Sequence, residues 1–174
     1  MNKELWDKAV AFHGHQCPGL AIGVRAAIIV LENFAADRAE DEELVCVTEN
    51  DACGVDGIQA ILSCTMGKGN LLLRPTGKQA FSFFERKSGR TLRLYLKPLP
   101  EEMTREQKIR YILEAPAEEV FTFGKPSFQL PERARLFRTV ICEQCGEGAP
   151  EHKIRLQDGK KVCLDCFKDY SRGW

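Results

Sequence analysis

The stretch FHGHQCPGLAIG, Phe12 to Gly23, ends one helix and begins another within twelve residues. Upstream, Leu5, Trp6, Ala9, Val10 and Phe12 recur at helical spacing, and Gly14 weakens the pattern, so a first helix closes near the histidines. Pro18 suits the first turn of a second helix, because the amide hydrogen it lacks would find no partner there. Leu20, Val24, Ala27, Ile28 and Leu31 carry an apolar face on to about Phe34. Gly19, Ala21, Gly23, Ala26 and Ala27 are small enough to let another backbone approach.

Further along, LVCVT reads as a buried strand, and ENDACGVDGIQAILSC as a tight turn and a helix, with Asn50 and Asp51 as caps. TMGKGN is a loop, LLLRP a strand, and QAFSFFERKSGRTLRLYL a hairpin turning near Ser88 and Gly89. Thr104 and Gln107 have capping-box spacing ahead of a helix that Pro116 ends. The expected core, residues 1–125, is an α+β domain of helices packed on a largely antiparallel sheet. FTFGKPSFQLP, residues 121–131, reads as a connector to a small unit within 126–174.

That small unit carries Cys142-x-x-Cys145 and Cys163-x-x-Cys166, with 17 residues between the pairs. The spacing is that of a structural zinc site, in which four thiolates enclose the ion and leave no position for substrate. Asp158 and Gly159 mark a hairpin turn, and CLDCFKDY offers the start of a helix, a layout that suggests a treble-clef finger. His152 is surplus to the ligand set. Basic and acidic side chains nearly balance in this segment, which favours a structural or protein-docking finger over a nucleic-acid reader.

The chain has 174 residues, zero formal net charge and eight cysteines. It is long enough to bury a core without disulfides, and it shows neither a secretory leader nor an apolar run that spans a bilayer. The expectation is a cytoplasmic protein without a membrane segment, whose thiols bind metal or do chemistry.

In the core, His13, His15 and Cys17 place two imidazoles and a thiol within five residues. Pro18 sets Cys17 at a helix N-terminus, where dipole and free amides favour a thiolate; Cys53 sits at a similar strand-to-helix turn. These groups suit zinc, nickel or iron better than magnesium. The alternative is that the histidines cap a helix and the cysteines are buried. Cys46 reads as core. Cys64 is either part of the same cleft or inert, Asp56 and Gln59 are either its polar face or solvated, and Lys68 in GKGN is a weak anion holder outside any Walker A pattern.

Three motifs in order, FHGHQCPGLAIGVRA, ENDACGVDGIQ and SCTMGKGNL, followed by the four-cysteine finger, resemble the FmdE family of formylmethanofuran dehydrogenase over essentially the whole chain. The resemblance implies an α+β core, a homodimer, and a cavity lined by His13, His15, Cys17, Cys53 and Cys64, with Asp56, Gln59, Lys68 and Asn70 as secondary candidates. It makes His15, Cys17 and Cys53 the preferred ligands of a second metal, with His13 or Cys64 completing the shell or serving as acid or base. It also implies a part in molybdenum- or tungsten-dependent methanogenesis, although no ferredoxin-type cysteine run or molybdopterin-binding segment is visible. Three functions follow as expectations. One is a metal enzyme of one-carbon or redox metabolism acting on a small molecule. Another is an accessory component of a larger complex that docks a protein through its finger. The third is a metal-free thiol enzyme using Cys17 or Cys53.

Overall fold

The computed structural model describes residues 2–34 and 39–173. The chain divides into two units, Met1–Arg133 and Ala134–Trp174.

In the first unit, α1 (Lys3–His13) is capped by the Asn2 side chain, which accepts from the Leu5 amide, and ends at Gly14, whose φ of 91° suits glycine. The second helix, α2 (Pro18–Phe34), starts at the proline as expected. Strand β1 (Leu44–Thr48) is wholly buried, and α3 (Gly54–Leu62) carries the chain over to β2 (Leu71–Leu73), which pairs with β1 in parallel. The hairpin β3 (Ala80–Glu85) and β4 (Thr91–Leu96) adds antiparallel strands beside β1. Then come α4 (Arg105–Glu114), opened by the Thr104/Gln107 capping box, the single turn α5 (Ala117–Val120), and β5 (Phe121–Gly124). The sheet order is β2-β1-β3-β4-β5, and only the β1/β2 pair is parallel.

Alternation along β1 sorts the core into two layers. Leu44 and Cys46 join Phe81, Phe83 and Leu94 against α1, α2, α3 and α4, whereas Val45 and Val47 meet Phe84, Leu72 and Phe128 on the other face. Two expectations change here. FTFG is a strand on the edge of the sheet, with Phe121 buried, so the expected connector begins inside the first unit. Asn50 and Asp51 do not cap α3: Cys53 occupies the N-cap position without a side-chain cap bond. Asn50 instead closes its own turn, accepting from the Ala52 amide at 3.1 Å and donating to the Lys78 carbonyl at 2.9 Å.

Three glycines bring α2 and α3 together. A Cβ on Gly23 would lie 1.8 Å from the Gly54 carbonyl oxygen, and one on Gly57 would lie 2.7 Å from the Val24 nitrogen. This close crossing sets the N-terminus of α2 beside that of α3.

The second unit holds two hairpins, β6 (Thr139–Ile141) with β7 (Gly148–Pro150) and β8 (Ile154–Gln157) with β9 (Lys160–Cys163). Asp158 and Gly159, with φ of 51° and 77°, make the expected turn. The helix expected from the second cysteine pair, the feature that suggested a treble clef, does not form among the described residues. Cys166 and Phe167 both turn back to the Cys163 carbonyl, and the Gln157 amide then bonds the nitrogen and the carbonyl of Lys168, each at 2.9 Å. That two-point clamp holds the chain extended, where a helix would need those groups for itself.

Candidate metal centres

In the second unit the four cysteine sulfurs lie within 4.8 Å of one another. Cys145 and Cys163 are 3.9 Å apart, close to the ~3.8 Å edge of a tetrahedron with zinc–sulfur bonds of about 2.3 Å. The knuckle after Cys142 closes through the Gly146 amide on the Cys142 carbonyl, at 2.9 Å. Backbone amides of Cys145 and Cys163 lower the Cys142 thiol to about 6, whereas burial and the three neighbouring thiols push Cys166 up to about 12. A divalent cation would offset the rise at Cys166 by holding the sulfurs as thiolates. His152 stacks on Phe137 with ring centroids 4.0 Å apart.

The first unit holds a second donor set. His13, Cys17 and Cys53 each direct one donor atom to a common point, all within 4.8 Å of one another. His13 is the last residue of α1, Cys17 precedes α2, and Cys53 precedes α3, so three helix ends build the site. Cys17 caps α2 with its sulfur, accepting the Leu20 amide at 3.2 Å, and lies 3.7 Å from His13 Nε2. On the other side of the ring, His13 Nδ1 lies 2.7 Å from Asp56 Oδ2, and Gln59 Nε2 donates to Asp56 Oδ1 at 3.2 Å. A carboxylate accepts, so Nδ1 carries a proton, which in the neutral ring leaves the Nε2 lone pair facing the thiols. Metal-bound histidines are oriented in the same way. Burial, with Cys17 alongside, raises the Cys53 thiol. Gly19 lets Cys53 in: a Cβ there would lie 3.1 Å from Cys53 Cβ.

Two of the donors, His13 and Cys53, open on a cleft of about 340 Å³ at the C-terminal ends of the parallel strands β1 and β2. His13, Cys53 and Asp56 are among its lining residues, and Val55, Leu71, Leu73 and Met66 supply its apolar lining. The sequence reading singled out neither this apolar lining nor Thr48, and took Asn50 and Asp51 only as helix caps. The available signal was the strand–helix–strand order itself, since parallel pairs bind ligands at their carboxyl ends.

Other candidates lie elsewhere. His15 is exposed and stacks on His13 with ring centroids 4.4 Å apart, outside the donor set. Gly14, in its left-handed conformation, separates the two rings from a common helical face. Cys64 is fully buried, 3.6 Å from the Leu44 carbonyl, and burial pushes its thiol up to about 12. Buried Cys46 is likewise raised. Lys68 donates to the Ala39 carbonyl at 2.8 Å and to Ser63 Oγ at 3.1 Å. Buried Asn70 accepts from the Thr65 amide and donates to the Asp41 and Leu44 carbonyls. Both side chains therefore brace the loop around β2. No helix among the described residues is long and apolar enough to cross a membrane.

Comparison with known proteins agrees with this division. Residues 12–122 match the family described as "FmdE, Molybdenum formylmethanofuran dehydrogenase operon", and residues 135–172 match the prokaryotic dksA/traR C4-type zinc finger. An Archaeoglobus fulgidus protein described as a probable S-adenosyl-L-methionine-binding protein is 29% identical across 94% of this chain and 52% of its own length. The chain thus spans about half of that relative. A crystal structure of a tungsten formylmethanofuran dehydrogenase FmdE-like protein from Syntrophus aciditrophicus superposes with a TM-score of 0.72. It is 25% identical, over 94% of this chain and 90% of the other.

Proposed function

The chain belongs to the FmdE family and ends in a four-cysteine zinc finger, and we propose on that basis that its core holds a second, functional transition-metal ion. The convergence of His13 Nε2, Cys17 Sγ and Cys53 Sγ within 4.8 Å carries this reading. Two sulfurs and one imidazole nitrogen suit zinc, iron or nickel, and three protein donors are the number found in sites that keep a position for substrate. His13 takes the place that the family resemblance gave to His15. Such an ion would serve as a Lewis acid toward a small molecule in one-carbon or related redox metabolism.

The protein's own groups would perform the positioning. Asp56 and Gln59 fix the His13 ring, the Leu20 amide fixes the Cys17 sulfur, and the Val55, Leu71 and Leu73 wall keeps water from one side of the ligand. The finger would have a structural or partner-docking role, and a homodimer belongs to the same proposal. Cobalt substitution tests the core site. Full-length protein should show two sets of sulfur-to-cobalt absorption bands, and His13→Ala should weaken one set while His15→Ala leaves both. A His15→Ala protein that alone loses the core band would reverse the assignment.

The archaeal relative's description supports a second reading, that the cleft binds S-adenosyl-L-methionine against its apolar wall. Equilibrium dialysis against labelled S-adenosyl-L-methionine decides it: saturable binding lost in Leu71→Asp supports the reading, and no binding removes it.

A further inference from the structure

The charges around the cleft point past the identity of the metal to the class of molecule that approaches it. Asp51 and Asp56 are the charged side chains on its wall, and neither lysine nor arginine lines it among the described residues. Two thiolates from Cys17 and Cys53 cancel a divalent ion and a neutral His13 adds no charge, so the loaded site keeps the negative charge of Asp56, which the His13 and Gln59 hydrogen bonds solvate, and of Asp51.

Several of the other groups that could hold an anion are already engaged. Lys68 is bound to the Ala39 carbonyl and Ser63 Oγ. The Thr48 hydroxyl donates to the Asn50 carbonyl at 2.6 Å, and the Asn50 amide donates to the Lys78 carbonyl. At the N-terminus of α3, where free amides would otherwise attract an anion, the Val55 amide bonds the Ala52 carbonyl and the Asp56 amide bonds the Cys53 carbonyl. Val55, Leu71 and Leu73 add apolar lining, and Met66, exposed and polarisable, lines the cleft as well.

We infer that the cleft selects its ligand by net charge, taking a neutral or cationic molecule with an apolar, ring-sized body and rejecting net-anionic phosphates and carboxylates. This rests on the core metal site proposed above. It places anionic pterin or nucleotide cofactors outside the cleft, and it makes Asp51, which touches none of the metal donors, the specificity-determining residue at the rim.

Three pyridines with the same donor nitrogen and different charge test it: nicotinate, nicotinamide and 3-(aminomethyl)pyridine, titrated into the cobalt-loaded full chain at neutral pH. Perturbation of the core cobalt bands reads binding, and the finger, closed by four thiolates, stays silent. Nicotinate should bind more weakly than nicotinamide by on the order of fivefold, the effect of one contact between unit charges in water, and the cationic amine should bind more tightly than nicotinamide. Asp51→Asn and high salt should both compress that order. Equal or tighter binding of nicotinate, an order that Asp51→Asn leaves untouched, or silence toward all three would overturn the inference while leaving the metal site standing. A protein without core cobalt bands would refute the metal reading and this inference together.

Discussion

Replacing Gly23 with alanine tests how the site is positioned. The new Cβ would lie 1.8 Å from the Gly54 carbonyl oxygen and 2.6 Å from its carbon, where ordinary contact begins at 3.4 Å. Both clashing atoms are backbone, so no side chain can turn aside, and α2 and α3 must part by about 1.6 Å at that point. Overpacking of this kind costs ~3 kcal/mol or more, and parting the helices also loses contact along the crossing. Helix propensity returns ~1 kcal/mol, because alanine is the better helix former. The expected net loss is about 2–4 kcal/mol, read from urea unfolding followed by circular dichroism. Because Cys17 and Cys53 sit at the N-termini of these helices, the variant should also lose core metal while its finger keeps zinc. Gly124→Ala is the control: nothing lies within 4 Å of its Cβ, so stability should stay within ~0.5 kcal/mol. A Gly23→Ala protein as stable as the parent, with the core metal retained, would refute the close-crossing argument.

Other perturbations separate site from scaffold. Asp56→Asn should weaken core metal affinity by about 10–100-fold with finger zinc unchanged, read by competition with a chelating dye. Cys64→Ala and Lys68→Ala should leave the core metal content as it is; loss of metal in either would return that residue to the ligand set. Burial alone would raise the buried Glu49 carboxyl, but hydrogen bonds from Arg93 at 2.8 Å and Thr76 at 2.9 Å outweigh it and hold Glu49 below its ordinary 4.5. Its folded value being the lower, Glu49 contributes stability in full above about pH 4.5 and loses it as pH falls through the lowered value. Acid titration of unfolding should therefore show a smaller loss below pH 4.5 in Glu49→Gln, and an unchanged slope would count against the pairing. Chelation should melt the β6/β7 and β8/β9 hairpins, seen as loss of amide-exchange protection there, since so small a unit has little core of its own.

Much of this was readable in the chain because it depends on local chemistry. The paired cysteines, the Thr104/Gln107 capping box, the Asp158-Gly159 turn and the helix begun at Pro18 each follow from residues adjacent in sequence. What escaped depends on distant partners. His13 and His15 are indistinguishable by spacing. Only the packing of α1 on α3, which brings Asp56 to 2.7 Å from His13, and the left-handed turn at Gly14, which sends His15 to the surface, separate them. Cys64, Lys68 and Asn70 fall within a family motif, yet their partners are carbonyls from the segment 39–44, which spacing does not reveal. FTFG was obscured by its own final glycine and by Pro126 beyond it, although an edge strand tolerates both. The apolar wall of the cleft needed the parallel pairing of β1 and β2 before its members could be recognised as neighbours.

The most direct test is the metal content of protein purified without added metal, measured per chain for the parent, for Cys17→Ala/Cys53→Ala and for Cys142→Ser/Cys163→Ser. The two donor sets predict about two ions in the parent and about one in each variant, with the ion left in the core variant being zinc. A parent with about one ion, unchanged when Cys17 and Cys53 are removed, would contradict a functional metal in the core.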